Sequence, residues 1–167
     1  MSAGAIIVLA LLVFIGITIF KGVRIVPQGY KWIVQRLGKY HTTLSPGLNF
    51  VIPYVDEVAY KITTKDIVLD IPSQEVISKD NAVLVMNAVA YINLTTPEKA
   101  VYGIENYTWA IQNLVQTSLR SIVGEMDLDD ALSSRDHIKA KLKAAISDDI
   151  ADWGITLKTV EIQDIQP

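Results

Sequence analysis

The chain has 167 residues, with 15 Lys and Arg against 18 Asp and Glu, two His and no Cys. Half of it is apolar and the formal net charge is −3, which excludes intrinsic disorder and argues against a nucleic-acid-binding surface. Without cysteine there is no disulfide scaffold, thiolate zinc site, iron–sulfur cluster or thiol nucleophile.

The apolar content is concentrated at the start, where no charged side chain precedes Lys21. Residues 3–20 read AGAIIVLALLVFIGITIF. As a helix this run spans about 27 Å, close to the hydrocarbon thickness of a bilayer. Ala5, Ile6, Ile7, Val8, Leu11, Leu12, Val13, Phe14, Ile15, Ile17, Ile19 and Phe20 put apolar groups on every face, without the polar stripe of a core helix. A cleaved signal peptide would want basic residues before the run and a small-x-small site after it, whereas IFKGVRIVP follows. Segment 1–21 is therefore expected to stay as a transmembrane anchor. Lys21, Arg24 and Lys31 follow it, so the positive-inside bias places the rest of the chain on the cytoplasmic side of the inner (plasma) membrane. Asn-x-Thr triplets at Asn93 and Asn106 would go unmodified there and are read as chance matches.

After the turn Pro27-Gln28-Gly29, the stretch YKWIVQRLGKY predicts a strand, with Tyr30, Trp32, Val34 and Arg36 on one face. Ser45-Pro46-Gly47 is turn chemistry, and His41 falls in the loop before it. An apolar run from Leu48 to Val55 is broken by Pro53. Short strands are predicted over Val58 to Ile62 and Asp66 to Ile71, the second closed by Pro72. The longest predicted strand, AVLVMNAVAYINL, carries a wholly apolar face of Leu84, Met86, Ala88, Ala90, Ile92 and Leu94, which fixes its register.

The period then changes. Pro97 opens a short helix, and Ile111, Leu114, Val115, Leu119, Ile122 and Met126 recur at three and four in a second, amphipathic one. A third starts near Ser133, with Asp136 as its capping-box partner. Its buried stripe is Ile138, Leu142, Ile146, Ile150 and Trp153, and Gly154 stops it. ITLKTVEIQDI returns to plain alternation, with Ile155, Leu157, Thr159, Glu161 and Gln163 opposing Thr156, Lys158, Val160, Ile162 and Asp164. Strands and helices come in blocks, so the class is α+β: an anchor helix, antiparallel strands, helices and a final strand.

A catalytic or metal site finds little support. His41 and His137 have no second ligand at metal spacing, and no nucleophile-elbow, dinucleotide, Walker or HExxH pattern occurs. Asp127, Asp129 and Asp130 sit where a helix macrodipole favours acids anyway. Two other features are more informative. The run Leu48, Phe50, Val51, Ile52, Tyr54 reads either as a short buried strand or as a wedge dipping into the headgroup region beside the anchor. In the third helix Lys139, Lys141 and Lys143 precede Asp148, Asp149 and Asp152, against the helix dipole. Lys139, Lys143, Asp148, Asp149 and Asp152 are therefore candidate contacts between copies, basic end to acidic end; the alternative is a solvated face.

Taken in order, VPQGYKWIVQRLGKY, LSPGLNFVIPYVDEV, VLDIPSQEVISKDNAVLVMNAVAYI, TSLRSIVGEMDLDDALSSRDHI and WGITLKTVEIQDIQP resemble the stomatin/prohibitin/flotillin (SPFH, band 7) superfamily. The nearest likeness is to bacterial stomatin-like (slipin, QmcA-type) proteins. The resemblance implies a non-enzymatic membrane scaffold, without cofactor, catalytic residues or metal, that assembles into a large ring or cage and organises a membrane microdomain. Its alternative implication is an adaptor regulating a membrane protease of FtsH type, or one linked to an NfeD-type partner, by direct contact. It implies three parts: the anchor 1–21, a membrane-proximal β-rich subdomain 22–95 and a membrane-distal α/β subdomain 96–167. It also implies a lipid-facing Gly47–Tyr54 segment. In the family the chain continues past the equivalent of Gln166-Pro167 into an Ala/Glu-rich wall helix that these 167 residues do not include.

Overall fold

The computed structural model describes residues 2–167, whose elements pack as two units divided between Thr64 and Lys65. The expected division near residues 95 and 96 does not coincide with that boundary. The reason lies in the last strand, which returns to pair along the longest strand and draws it into the helical unit.

The first unit begins with α1 (Ala3–Gly22), the predicted anchor. Apart from half-buried Thr18 and buried Gly22, its described residues are exposed, and it is the one described helix long and apolar enough to cross a membrane. Thr18 Oγ1 donates to Phe14 O at 2.8 Å, which satisfies its hydroxyl within the helix. Lys21 lies in the last turn, where the dipole favours a cation.

The chain then forms β1 (Val23–Val26), β2 (Tyr30–Arg36), β3 (Lys39–Leu44), β4 (Gly47–Phe50) and β5 (Asp56–Thr63). β1 and β4 make a two-stranded antiparallel ribbon, and β3-β2-β5 a three-stranded antiparallel sheet. Val26, Val34 and Leu44 form a core, with Trp32, Val51 and Val58 packed against it. The predicted strand over residues 30–40 is in fact two strands. Leu37 and Gly38, at φ 51° and 82°, make a tight hairpin turn whose two positive φ angles match the twist of the strands. His41 accordingly lies in β3, as the extra residue where the register shifts, and not in a loop.

The second unit is built on β6 (Ile67–Ile77), β7 (Val83–Leu94) and β8 (Ile155–Gln166), an antiparallel sheet in the order β6-β7-β8. Pro72 does not end its strand. It sits on an edge strand beside the register shift between Ile71 and Gln74, where no ladder bond from its nitrogen is needed. The apolar face of β7 is buried as its pattern requires. Over it lie α3 (Tyr107–Gly124) and α5 (Arg135–Ala151), which bury Ile111, Val115 and Leu119 and Ile138, Leu142, Ile146 and Ile150. α2 (Pro97–Gly103) and α4 (Leu128–Ser133) are single short pieces.

Three local expectations change. Ser133 does not cap α5: its hydroxyl donates back to Asp129 O at 2.7 Å, and the cap position is Ser134, without a side-chain bond. Trp153 lies beyond α5 and is half-buried. β8 does not alternate plainly, because Lys158 and Gln163 are each an extra residue against β7. Each shifts the phase by one, so Leu157, Val160, Ile162 and Ile165 all reach the core opposite Ile92, Ala90, Ala88 and Met86. Gly154, at φ 70°, closes α5; a Cβ there would collide with Thr96 O and lie 2.8 Å from Lys99 Cβ.

Candidate functional site

Partners directly opposite in an antiparallel ribbon share a face. Val26 points into the core of the first unit, so its neighbours Ile25 and Val23 point the other way, with Leu48 and Phe50 opposite them. Ile25 is 69 % exposed, Leu48 62 % and Phe50 71 %. A cross-strand apolar pair normally finds cover; this one lies open just beyond the end of α1.

The segment after β4 is held by the end of α1 and by an ion pair. The Val51 N–H donates to Gly22 O at 2.7 Å. Val51 itself packs against the core, so of the five residues expected to form a wedge it alone points inward. Ile52 and Tyr54 are exposed. Asp56 closes the loop from below: its N–H donates to Ile52 O, and its Oδ2 accepts the Ile52 N–H, both at 2.9 Å. Arg36 grips the same carboxylate with two bonds, Nε to Oδ1 at 2.7 Å and Nη2 to Oδ2 at 3.1 Å. The Arg36 hydrogen bonds, with the Ile52 N–H second, hold the Asp56 carboxyl at about 2.

Two of the exposed apolar side chains sit on left-handed backbone. Tyr54 has φ 70° and Leu37 has φ 51°. Leu37 is 83 % exposed, and its N–H donates to Val55 O at 3.2 Å, which joins the two loop tips. Left-handed backbone costs an L-residue roughly 1–2 kcal/mol, and a bulky apolar side chain in water gains nothing in return. The Lys21 ammonium lies 5.6 Å from the centre of the Tyr54 ring, so the end of α1 also meets the loop.

Sequence reasoning placed Leu48, Phe50, Ile52 and Tyr54 in this group and missed Ile25, Leu37, Arg36 and Asp56. The Leu37-Gly38 dipeptide lacks the Asn-Gly or Asp-Gly chemistry that marks a tight hairpin. Val23–Val26 is too short to show which face its partner covers. Arg36 and Asp56 meet only because β2 and β5 pair.

In the second unit, Lys139 Nζ lies 2.6 Å from Glu161 Oε1, and that hydrogen bond lowers the Glu161 carboxyl below its ordinary value. Lys143 Nζ donates to Lys158 O at 3.3 Å, and Arg135 Nη1 to Gln163 O at 3.3 Å. The basic half of α5 thus serves the outer edge of β8, which explains lysines placed against the helix dipole. Asp148, Asp149 and Asp152 are exposed, and among the described residues no ion pair engages them. Asp127, Asp129 and Asp130 stay on the surface around α4. No group of three or more His, Asp or Glu that could hold a metal ion occurs among the described residues.

Comparison with known proteins reaches the whole body of the chain. Residues 24–167 match the family described as SPFH domain / Band 7 family. An uncharacterized protein of Methanocaldococcus jannaschii is 41 % identical over 149 residues, covering 89 % of this chain and 74 % of that protein. An uncharacterized protein of Mycobacterium tuberculosis is 35 % identical over 165 residues, 99 % of this chain but 43 % of its own length. Human mitochondrial stomatin-like protein 2 is 38 % identical over 143 residues, 86 % of this chain and 40 % of that protein. The chain therefore spans less than half of two of these three relatives. With strands, helices and final strand in the expected order and the match running from just beyond α1 to the last residue, the chain belongs to the SPFH domain / Band 7 family.

Proposed function

We propose that this protein is a single-pass membrane scaffold without catalytic activity of its own, which oligomerises side by side and seats its first unit on the cytoplasmic face of the plasma membrane. The observation that carries the reading is the group of open apolar side chains on the ribbon and loop that follow α1: Ile25, Leu48, Phe50, Ile52, Tyr54 and, across the Val55 carbonyl, Leu37. Water is a poor environment for them, whereas the interface of a bilayer accepts aliphatic and aromatic groups beside Lys21 and Arg24. The acidic end of α5 at Asp148, Asp149 and Asp152 is exposed and would meet a basic surface of the next copy, Lys139 and Lys143 of α5 being engaged with β8. Extraction of the protein with its surrounding lipid into nanodiscs, followed by imaging, tests the reading. Ordered side-by-side assemblies support it; isolated single copies at every loading overturn it.

A second reading, contact with a membrane protease of FtsH type or with an NfeD-type protein, draws on a separate observation. Trp109 and Tyr102 in the second unit are exposed at 64 % and 47 %, and exposed aromatics of this size are the usual anchors of protein interfaces. Stoichiometric capture of a protease, lost on Trp109→Ala with assembly size unchanged, would favour it.

A further inference from the structure

Arg24 is the one residue that lines all of three surface clefts of the first unit. Lys21 lines the first and third, and Lys61 the second. Lys61 Nζ stands 4.5 Å from the centre of the Trp32 ring, a cation–π contact that places its ammonium at the cleft the two residues line. Arg24 thus shares two clefts with Lys21, in the last turn of α1, and one with Lys61.

Two carboxylates share the clefts, Asp56 and Glu57. Asp56 is already spent, since Arg36 and the Ile52 N–H take both of its oxygens. Among the described residues no carboxylate lies within ion-pair distance of Arg24, and Glu57 alone remains as an opposing charge. An exposed guanidinium without an ion-pair partner, sharing its clefts with a lysine in the last turn of α1 and with a lysine held over an aromatic ring, is matched by a phosphate group. Its planar fork reaches two phosphate oxygens together, and the flanking ammoniums supply point charge.

We propose that the cleft around Arg24 binds the phosphodiester of an anionic lipid headgroup, with Arg24 forked onto two of its oxygens and Lys21 and Lys61 flanking it. The inference rests on the membrane seat proposed above. It adds that the seat selects anionic lipid rather than resting on apolar contact alone.

The test uses the protein in nanodiscs of mixed phosphatidylglycerol and phosphatidylcholine, with the lipids that stay bound after release read by native mass spectrometry. The wild type should retain phosphatidylglycerol in preference. Arg24→Gln and Lys61→Gln should each cut that preference about fivefold, while Lys141→Gln, an exposed charge on α5, should leave it unchanged. Arg24→Lys should keep part of the preference, because charge survives and the fork does not. Equal retention of both lipids by the wild type overturns the proposal, as does a preference indifferent to Arg24→Gln. Millimolar inorganic phosphate that strips the bound lipid would reassign the cleft to a free ion and overturn the headgroup assignment. A fluorophore on Phe50→Cys, unique in a chain without cysteine, reports in the same discs. Quenching there by bromine-labelled lipid shows the seat intact even where headgroup selection fails, so the two failures are distinguishable.

Discussion

Gly22 and Val51 lie so close that the Val51 N–H reaches Gly22 O at 2.7 Å, and a Cβ on Gly22 would stand only 2.8 Å from Val51 O. Both sides of the contact are backbone, so neither can rotate away. The last residue of α1 is in this way tied to the first residue of the loop after β4, and a rigid joint takes the place of a flexible linker. Gly22→Ala should therefore displace the loop and lower the stability of the first unit by roughly 1–3 kcal/mol. Gly16→Ala, with open space around its Cβ, is the control and should be neutral or better. Thermal unfolding in detergent compares the two, and equal melting temperatures would remove the joint from the account.

Leu37 should reveal whether the open apolar tips serve stability or seating. Asn tolerates a φ of 51° far better than Leu, so Leu37→Asn should raise the melting temperature by the equivalent of about 1 kcal/mol. On the proposed seat the same change should reduce quenching of a Phe50→Cys fluorophore by bromine-labelled lipid. A gain in stability paired with a loss of seating is the signature of strain kept for function. Loss of stability would mean that Leu37 is an ordinary hairpin residue.

Helix α1, the apolar face of β7 and the stripe of α5 were legible in the sequence because each is a long, unbroken signal, the first in composition and the other two in period. Ile138, Leu142, Ile146 and Ile150 repeat every four residues, and all four are fully buried. What escaped has a common physical cause, namely irregularities of one or two residues. The Leu37-Gly38 turn splits an apparently continuous strand, the irregularity at Pro72 lets a strand run past a proline, and the extra residues Lys158 and Gln163 reset the phase of β8. The open surface was half legible for the same reason. The apolar run from Leu48 is visible by composition, whereas Ile25 joins it only through the β1–β4 register, and Arg36 reaches Asp56 only through β2–β5 pairing. Lys139 and Lys143 looked available for another copy because their partners on β8 lie far along the chain.

The Asp56 carboxyl gives the first unit an acid limit. Its folded value, about 2, lies below the ordinary 3.8, so the folded state favours the ionised form. That contribution is complete above the ordinary value and is lost as pH falls from there through about 2, the unfolded chain taking up the proton first. With Arg36 partly open to solvent, the loss should be on the order of 1–2 kcal/mol. Asp56→Asn keeps an acceptor for the Ile52 N–H and removes the titration. Its melting temperature should be lower than the wild type at neutral pH and should converge on it near pH 2, a number set by the same carboxyl. Parallel curves for the two proteins would assign the acid limit to other groups.

The two extra residues of β8 make a sharper claim about how the second unit is specified. Gln163 has no direct partner on β7: Ile162 stands opposite Ala88 and Asp164 opposite Asn87. Removing Gln163 would leave a regular ladder in which Ile162 and Ile165 keep their partners and their buried face. The cost should be small, mainly the Asn87 Nδ2 bond to Gln163 Oε1 and the Arg135 bond to Gln163 O. Removing Glu161, which stands opposite Val89, is a different operation although it also deletes one exposed polar residue. The chain beyond it slips by one, so Ile162 turns to solvent and Gln163 turns into the core against Ala88. Burying that amide and losing the isoleucine contacts should together cost several kcal/mol, enough to unfold the unit. Hydrogen exchange of the β7 amides separates the cases: protection should survive the first deletion and collapse in the second. Equal protection in both would mean that β8 can re-register freely and that its bulges carry no information about the fold.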